Sequence, residues 1–575
     1  MGSDSTGSFS LILHSHIPYV LSHGARPHGT DWLAEAVAES YLPLLNVCYR
    51  LLDEGISPKL TIGLSPILCE QLADRQFSQE FHGYLMQRIE AAQHDAADFS
   101  RNGNAEMERL ARMWERCYED RWCDFEQRYN SDLVGAFRRL QDEGHIEILT
   151  SAATHAYLPL LLTDQAVKAQ VSIGVESYRR HFKREPSGFW LPECAYRPRY
   201  RWQAPVDEFR SPEPILRKGL DEIVGEAGLQ YFLVDAHLFE GGRALGVYAE
   251  RFKALEELWS QFARESAPAT GPRSPYAPAL VNSSGEPRKP VAVMARDQRT
   301  GIQVWSGEHG YPGDEWYLEF HKKHYPGNLR YWRISWPRDD LGKKQLYYPE
   351  MAATRIPMHA QHYADMVYHV LRENSKVADG PPALVAMYDA ELFGHWWHEG
   401  GEWLYQMVKR LALNPQVERL TGSERLQRYP PRTVIELPEG SWGEGGYHWI
   451  WLNEWTSWTW QILYRTELKM QDITQKYYDQ PRLATVLRQL GRELLLLQSS
   501  DWQFNISTWS ARDYAEQRFR VHADRFDALA DLIEKIAEGG EIEQSAWNTL
   551  GEAEDSDRCF PDLRVENWLP DTKDH

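Results

Sequence analysis

Acidic, imidazole and indole side chains cluster directly after the apolar run at residues 383–388. Asp389 follows that run, Glu391 stands two residues further on, and His395 and Trp396 come shortly afterwards. Carboxylates transfer protons or attack electrophilic carbon, and imidazoles and indoles bind hydroxyls and flat apolar faces. The segment suits a site that orients a polyol. Acidic residues near a helix N-terminus would give the same pattern through the helix dipole.

A second carboxylate, Glu193, follows the aromatic and apolar run at residues 188–191. A solvated glutamate in a loop is the common alternative, but the neighbouring Cys194 and Tyr196 favour a position at the mouth of a site. Two carboxylates from different strand ends are what glycosidic-bond chemistry requires. One attacks the anomeric carbon, and the other donates a proton to the leaving oxygen and then acts as a base.

His14 and His16 follow the first apolar run, residues 8–13. Residues two apart on an extended chain point the same way, so both imidazoles face one site. Three interpretations stay open: two hydrogen-bonded histidines at a strand end, a metal-binding pair, or a clamp for sugar hydroxyls.

These groups need a scaffold that brings separate strand ends together. The runs predicted as strands are residues 8–13, 59–63, 145–150, 188–191, 231–234, 291–294 and 383–388. Helix-like segments separate several of them, which indicates a parallel sheet in a barrel or a large doubly wound fold. In a parallel barrel the active site lies at the C-terminal strand ends, where His14, Glu193 and Asp389 stand.

Composition restricts the partner. The chain has 63 Lys+Arg against 83 Asp+Glu, a net charge of −20, which argues against a nucleic-acid backbone. It has 23 Trp, 29 Tyr and 19 Phe, an abundance that suits stacking against a flat neutral ligand. No apolar stretch approaches the roughly 18–20 residues of a membrane span, no basic leader precedes residue 10, and six Cys are too few for a disulfide framework. We therefore expect a cytoplasmic enzyme with no membrane or nucleic-acid partner.

Five segments together resemble the sequence motifs of glycoside hydrolase family 57. They are residues 14–18, 63–66, 190–196, 388–397 and 455–460. Within that family, Pro-Glu-Cys-Ala-Tyr at 192–196 and Glu-Leu-Phe-Gly-His-Trp-Trp at 391–397 are most similar to the 1,4-α-glucan branching enzymes. The resemblance covers nearly the whole chain, from about residue 11 to residue 502.

The resemblance implies an α/β fold, an incomplete TIM-like (β/α)7 barrel with a helical insertion and a helical C-terminal domain. The catalytic barrel is expected in residues 1–400, the inserted helical subdomain in 69–144, a long flexible loop over the cleft in 236–290, and the C-terminal domain, contributing to the cleft, in 401–575. No metal and no other cofactor are expected.

By position in these motifs, Glu193 would be the nucleophile and Asp389 the general acid/base. The resemblance implies further substrate-binding residues, which are His14, His16, Trp32, His155, Trp305, His395, Trp396, Trp442, Trp451 and Asp501. It also implies a loop tyrosine that keeps water out and favours transfer. Tyr248 and Tyr276 are both candidates, and Tyr276 is favoured because Tyr-Ala-Pro followed by a predicted strand is the closer match.

The implied activity is retaining transfer of an α-1,4-glucan chain, from amylose, amylopectin or glycogen, to a 6-hydroxyl that becomes an α-1,6 branch. A 4-α-glucanotransferase or a hydrolysing α-amylase on the same fold is the first alternative. A metal-dependent hydrolase using His14 and His16 is more distant, because the sequence offers no evident further ligands at metal spacing. A non-catalytic glucan-binding protein is the last alternative.

Overall fold

The protein is built on one curled, mainly parallel sheet, seen in a computed structural model that describes residues 5–26, 28–240, 273–285, 289–336, 338–376 and 380–570. The strands are β1 Gly7–Ser15, β2 Leu60–Leu64, β3 Ile146–Ser151, β4 Gly188–Trp190, β5 Tyr200–Trp202, β6 Ile215–Arg217, β7 Tyr231–Val234, β8 Ala279–Val281, β9 Val291–Ala295, β10 Ala383–Asp389, β11 Val417–Arg419 and β12 Val434–Ile435. The main sheet has the order β10-β1-β2-β3-β4-β7-β9-β8-β12, with β11 beside β1. All seven predicted strands are confirmed.

Helices connect these strands and form most of the C-terminal region. The α-helices in the described parts of the chain are Thr30–Ala36, Leu42–Asp53, Pro66–Leu72, Arg75–Arg101, Ala105–Cys123, Leu133–Asp142, Asp164–Phe182, Leu220–Glu226, His237–Glu240, Gln298–Trp305, Pro349–Glu373, Gly400–Ala412, Gly422–Arg428, Ser457–Tyr477, Ala484–Leu497, Ser500–Thr508, Arg512–Glu538 and Gln544–Ser556. Of these helices, none combines the length and apolar character that a bilayer crossing needs.

The seven strands from β10 to β9 run parallel, so their C-terminal ends meet at one edge. β1, near one end of this series, is buried along its whole length, as expected for a parallel strand covered on both faces. Its register places His14 opposite Asp389 of β10 and opposite Gly63 of β2. A Cβ atom at Gly63 would lie 3.2 Å from His14 Nδ1, so glycine there leaves space for the imidazole.

The curl of the sheet brings its two parallel ends together. The backbone N–H of Asp297, just after β9, donates to the carbonyl of Val385 in β10 at 2.8 Å. β9 nevertheless pairs with β8, which is antiparallel to it. The sheet that the described residues form is therefore a curled half-barrel within a mixed α/β fold.

The predicted loop at residues 236–290 contains regular structure where it is described. Helix His237–Glu240 begins it, and β8 lies near its end. This region therefore includes a strand at Ala279–Val281, where Ala279 and Val281 bury their side chains beside β9. Residues 241–272 and 286–288 lie outside the described residues, and Tyr248 is among them.

The C-terminal region is helical and reaches the active edge of the sheet. Long helical patterns in the sequence at residues 481–498 and 511–538 predict helices there, and the structure has Ala484–Leu497 and Arg512–Glu538. Between them, helix Ser500–Thr508 starts against the loop after β3, where the N–H of Ser500 donates to the carbonyl of His155 at 3.1 Å. The short strands β11 and β12 in this region had no sequence prediction.

Candidate active site

A cavity of about 170 Å³ opens at the C-terminal edge of the sheet. A cavity of about 150 Å³ holds a benzene molecule, so this space suits roughly one six-membered ring. Its lining consists of His14, His16, Ile17, Trp32, His155, Glu193, Asp389, Glu391, His395, Trp396, Trp442, Asp501, Phe504 and Asn505. The cavity thus brings together both predicted catalytic carboxylates and eight of the other predicted residues.

Two tryptophans that the sequence analysis predicted to bind substrate, Trp305 and Trp451, lie outside this lining. Trp451 is 1% exposed, and its ring stacks on Tyr157 with centroids 4.4 Å apart. Trp305 is 6% exposed and lies 6.0 Å from the ring of Trp396, which does line the cavity. A ring face that packs inside the protein is unavailable to a sugar. The prediction that both residues bind substrate is therefore corrected: Trp451 packs on Tyr157, and Trp305 lies beside Trp396.

Tyr276 also lies outside the lining of the cavity. Its hydroxyl donates to Asp297 Oδ1 at 2.7 Å, and its carbonyl accepts from the N–H of Ala383 at the start of β10. These contacts tie Tyr276 to the start of β10 and to Asp297, shortly after β9. A loop tyrosine that excludes water stays a prediction, with Tyr248 outside the described residues.

Glu193 has an unusual backbone conformation. It stands in the short turn Pro192–Cys194 after β4, with φ 60° and ψ 21°. An L-residue rarely adopts this left-handed region, and strain of this kind clusters at functional sites. Trp442 Nε1 donates to Oε2 at 2.8 Å, and the hydroxyl of Ser500 donates to Oε1 at 3.1 Å. The carboxylate is therefore held at both oxygens.

The electrostatics of the cavity act on Glu193. Burial raises the pKa of Glu193 to about 7, the hydrogen bond from Trp442 opposes this rise, and the charges of Asp501 and Asp389 add to it. Asp389, at the end of β10, is thus close enough to interact with Glu193. A carboxyl with a pKa near neutrality is only partly ionised at pH 7, and pKa values perturbed in this way cluster at functional sites.

We expect kcat/KM to fall as the pH decreases below about 7. Attack requires the ionised carboxylate of Glu193, and the ionised fraction falls about tenfold per pH unit below the pKa. Initial rates of amylose conversion, measured across neutral pH, give the pH at which kcat/KM begins to fall. Trp442→Phe removes a hydrogen bond that lowers the pKa of Glu193, so kcat/KM of this variant should begin to fall at a higher pH. If kcat/KM of the wild type and of Trp442→Phe fell at the same pH, the assignment of this pH dependence to Glu193 would be contradicted.

Three imidazoles line the cavity beside Glu193. His14 Nε2 lies 2.9 Å from His155 Nε2, and the rings of His16 and His155 stack with centroids 4.0 Å apart. Burial, and then the neighbouring imidazoles, hold the pKa values of His14 and His155 well below the usual range. These two rings are therefore neutral at pH 7, and each has one donor and one acceptor nitrogen. His155 uses both of its nitrogens within the protein, Nε2 towards His14 and Nδ1 towards the hydroxyl of Ser500.

The C-terminal region contributes a carboxylate to the same wall. Asp501 Oδ2 lies 2.8 Å from His16 Nε2 and accepts from the hydroxyl of Ser499 at 2.6 Å. Burial raises the pKa of Asp501, but the neighbouring His16 outweighs burial and leaves that pKa below its ordinary value. Asp501 is therefore ionised at pH 7.

Glu391 is the other buried acid of the cavity. Burial raises its pKa to about 7, opposed by hydrogen bonds from the Tyr41 hydroxyl and from the backbone N–H of His16, which lies 3.1 Å from Oε1. This carboxyl ties β1 to the segment after β10. The helix-dipole interpretation of Glu391 is not supported, since this residue is 4% exposed and lies in the single 3₁₀ turn Ala390–Leu392.

Sequence reasoning missed Phe504, Asn505 and Ile17. A signal existed for the first two, because they stand three and four residues after Asp501, which places them on the same face of helix Ser500–Thr508. Ile17 follows His16 directly and is 2% exposed, so its apolar type gave no functional signal.

One group of side chains in the cavity has metal-ligand geometry. Donor atoms of His16, His155 and Asp501 lie within 4.8 Å of one another. Each is already hydrogen-bonded within the protein: His16 Nε2 to Asp501, and His155 Nδ1 to the hydroxyl of Ser500 at 3.0 Å. His14 is not in this group, so the proposed metal pair of His14 and His16 gains no ligand set in the described structure. A second group, His23, His522 and Asp557, lies away from the cavity.

The chain is similar to known proteins in both its N-terminal and its C-terminal part. Residues 10–438 match the model described as glycosyl hydrolase family 57, and residues 462–568 match the model described as 1,4-alpha-glucan branching enzyme, C-terminal. A 1,4-alpha-glucan branching enzyme of Thermococcus kodakarensis is 39% identical over 98% of this chain and 78% of its own length.

Two solved structures are similar to this chain over nearly its whole length. A GH57-type branching enzyme from Pyrococcus horikoshii has a TM-score of 0.87 at 36% identity, covering 99% of this chain and 98% of that one. The alpha-amylase AmyC from Thermotoga maritima has a TM-score of 0.79 at 27% identity, covering 98% and 99%.

Proposed function

The chain belongs to glycosyl hydrolase family 57, and we propose that within this family it acts as a retaining 1,4-α-glucan branching enzyme. The observation that carries the proposal is the convergence of Glu193 and Asp389 on one cavity lined by indoles and neutral imidazoles. The match of the C-terminal region to the branching-enzyme model favours transfer over the other activities of the fold.

In the proposed mechanism, Glu193 attacks C1 of an α-1,4-linked glucose while Asp389 protonates the leaving O4. The C1–O4 bond breaks, and a covalent glucosyl-enzyme forms with inverted configuration at C1. Asp389, now ionised, removes the proton from a 6-hydroxyl of an acceptor chain, whose oxygen attacks C1 and releases Glu193. Two inversions leave an α-1,6 bond, and the proton returns to Asp389.

His14, His16, His155 and Asp501 would hold the hydroxyls of the reacting glucose, since all four residues line the cavity. Trp32, Trp396 and Trp442 would cover its apolar faces, and His395 would contribute a further polar contact. The substrates proposed are amylose, amylopectin and glycogen, which are neutral and therefore indifferent to the net charge of −20.

We also propose a domain architecture for the chain. The seven parallel strands support an incomplete (β/α)7 barrel in residues 1–400, with residues 69–144 as its helical insertion and residues 401–575 as a C-terminal domain that completes the cleft. All six cysteines have free thiols, which supports a reducing cytoplasmic location.

Linkage analysis of treated amylose tests the proposed function. Branching leaves the number of reducing ends almost unchanged and creates α-1,6 bonds, so a debranching enzyme should afterwards release a set of short chains. Product without α-1,6 bonds would overturn the proposal.

Hydrolysis is the second candidate, favoured by the similarity to AmyC and by the place of Tyr276 outside the lining of the cavity. Hydrolysis predicts a steady increase in reducing ends without α-1,6 bonds. A Tyr276→Phe variant that keeps the wild-type ratio of branches to reducing ends would exclude this tyrosine as the residue that favours transfer.

A further inference from the structure

A second groove, of about 800 Å³, lies beside the catalytic cavity and has no role in the mechanism above. It runs between the segment before helix Thr30–Ala36 and the start of helix Arg512–Glu538. Its lining includes the aromatic side chains of Trp509, Tyr514 and His28.

Aromatic side chains connect this groove to the catalytic cavity. The His28 ring lies 6.4 Å from Trp32, which lines the cavity, and 5.8 Å from Tyr514, which lines the groove. Helix Ser500–Thr508 contributes to the cavity wall and ends directly before Trp509. The two spaces are therefore built from neighbouring elements that meet at the His28 ring.

Trp509 is presented to solvent in a defined position. Trp509 is 58% exposed. An exposed indole loses the stabilisation that burial would provide. Its φ of 58° is left-handed, a conformation that is unusual for a bulky residue. The ring is held by Trp455, with centroids 5.7 Å apart, and by the guanidinium of Arg512 at 5.3 Å.

The arginines of the groove already have partners within the protein. Arg26 pairs with Asp31 at 2.6 Å and Arg512 with Glu516 at 2.8 Å. The third, Arg518, is 3% exposed. The acidic partners Asp31 and Glu516, together with Asp513 in the groove lining, balance the three arginines, so the groove presents no net positive charge and suits a neutral ligand with flat apolar faces.

We propose that this groove is an outer subsite for an α-glucan chain whose reacting glucose occupies the catalytic cavity. This inference rests on the proposed function and specifies how the enzyme holds long chains. Trp509 and Tyr514 offer ring faces to the C–H faces of successive glucose units. Ser510 and Gln517, which also line the groove, offer hydrogen bonds to their hydroxyls.

Kinetics of Trp509→Ala with long and short substrates test the subsite. Loss of one stacking contact should raise the KM for amylose about three- to tenfold, and should raise it more than the KM for a maltooligosaccharide too short to reach the groove. Trp509→Phe retains an aromatic face and should restore most of the affinity. Trp547→Ala is the matched control, because Trp547 is 41% exposed and lies outside both spaces.

A binding measurement separates this inference from the proposed function. Titration of amylose into Glu193→Gln, with and without Trp509→Ala, reports affinity without turnover. Weaker binding of the double variant supports the subsite even when the wild type proves to hydrolyse amylose rather than branch it. Equal affinities, or equal amylose KM values for Trp509→Ala and Trp547→Ala, would overturn the subsite while leaving the proposed function intact.

Discussion

Replacing Glu193 with glutamine is expected to lower kcat on amylose by about four orders of magnitude or more. The amide has almost the shape of the carboxyl group and can keep the hydrogen bond from Trp442 Nε1, which lies 2.8 Å from Oε2. It cannot form the covalent bond to C1, so only slow background cleavage remains. New α-1,6 bonds and new reducing ends, counted together, measure the loss.

Glu467→Gln is the matched control for this substitution. Burial raises the pKa of Glu467 to about 7, as it does for Glu193, but Glu467 lies outside the cavity lining. Its carboxylate accepts from the N–H of Leu162 at 3.0 Å and has a structural role. We expect Glu467→Gln to retain most of its activity. Near-normal branching by Glu193→Gln would remove Glu193 from the mechanism.

Replacing Asp389 with alanine is expected to lower kcat on amylose by about two to four orders of magnitude. Without a proton donor, the sugar leaving group departs as a poor alkoxide. α-Glucosyl fluoride needs no protonation, so its conversion to the glucosyl-enzyme should survive. Azide should then rescue turnover, because it attacks the covalent intermediate without a general base.

The stereochemistry of the azide product distinguishes the two carboxylates. In Asp389→Ala the covalent intermediate still forms, so two inversions give α-glucosyl azide. In Glu193→Ala azide replaces the nucleophile, and a single inversion gives the β-anomer. The opposite pair of anomers would exchange the two roles.

Glu391→Ala completes this test, because Glu391 is buried in the same cavity with a pKa raised to about 7 and is the structural competitor for the acid. Formation of α-glucosyl azide by Glu391→Ala, and not by Asp389→Ala, would transfer the acid role to Glu391. We expect no such rescue, because both Tyr41 and the His16 backbone donate to the Glu391 carboxylate.

Much of this architecture could be predicted from local sequence. The apolar runs before His14, Glu193 and Asp389 predicted β1, β4 and β10, because strands buried on both faces in a parallel sheet need continuous apolar residues. Chemistry-bearing side chains directly after such runs predicted a shared edge, since parallel strands bring their C-terminal ends together. β8 was missed because three small or apolar residues in a Pro- and Ser-rich segment carry too little pattern.

The contacts that complete the site were decided by tertiary packing. Ser500 meets Glu193 across 307 positions of sequence, and Asp501 meets His16 across 485. No local periodicity encodes such a separation, because it depends on how the C-terminal helices dock on the sheet. The resemblance to family motifs anticipated Asp501, but not the hydrogen bond from Ser500.

The tryptophans also show which features the sequence determines and which depend on tertiary packing. Sequence identified an abundance of indoles and placed several near the catalytic residues, and Trp32, Trp396 and Trp442 do line the cavity. Trp451 and Trp305 have the same residue type and similar neighbours, yet they are buried behind the site. Residue type and position along the chain determine that an indole is available. Whether its face meets a sugar or another ring depends on the packing of distant elements, which only the folded structure specifies.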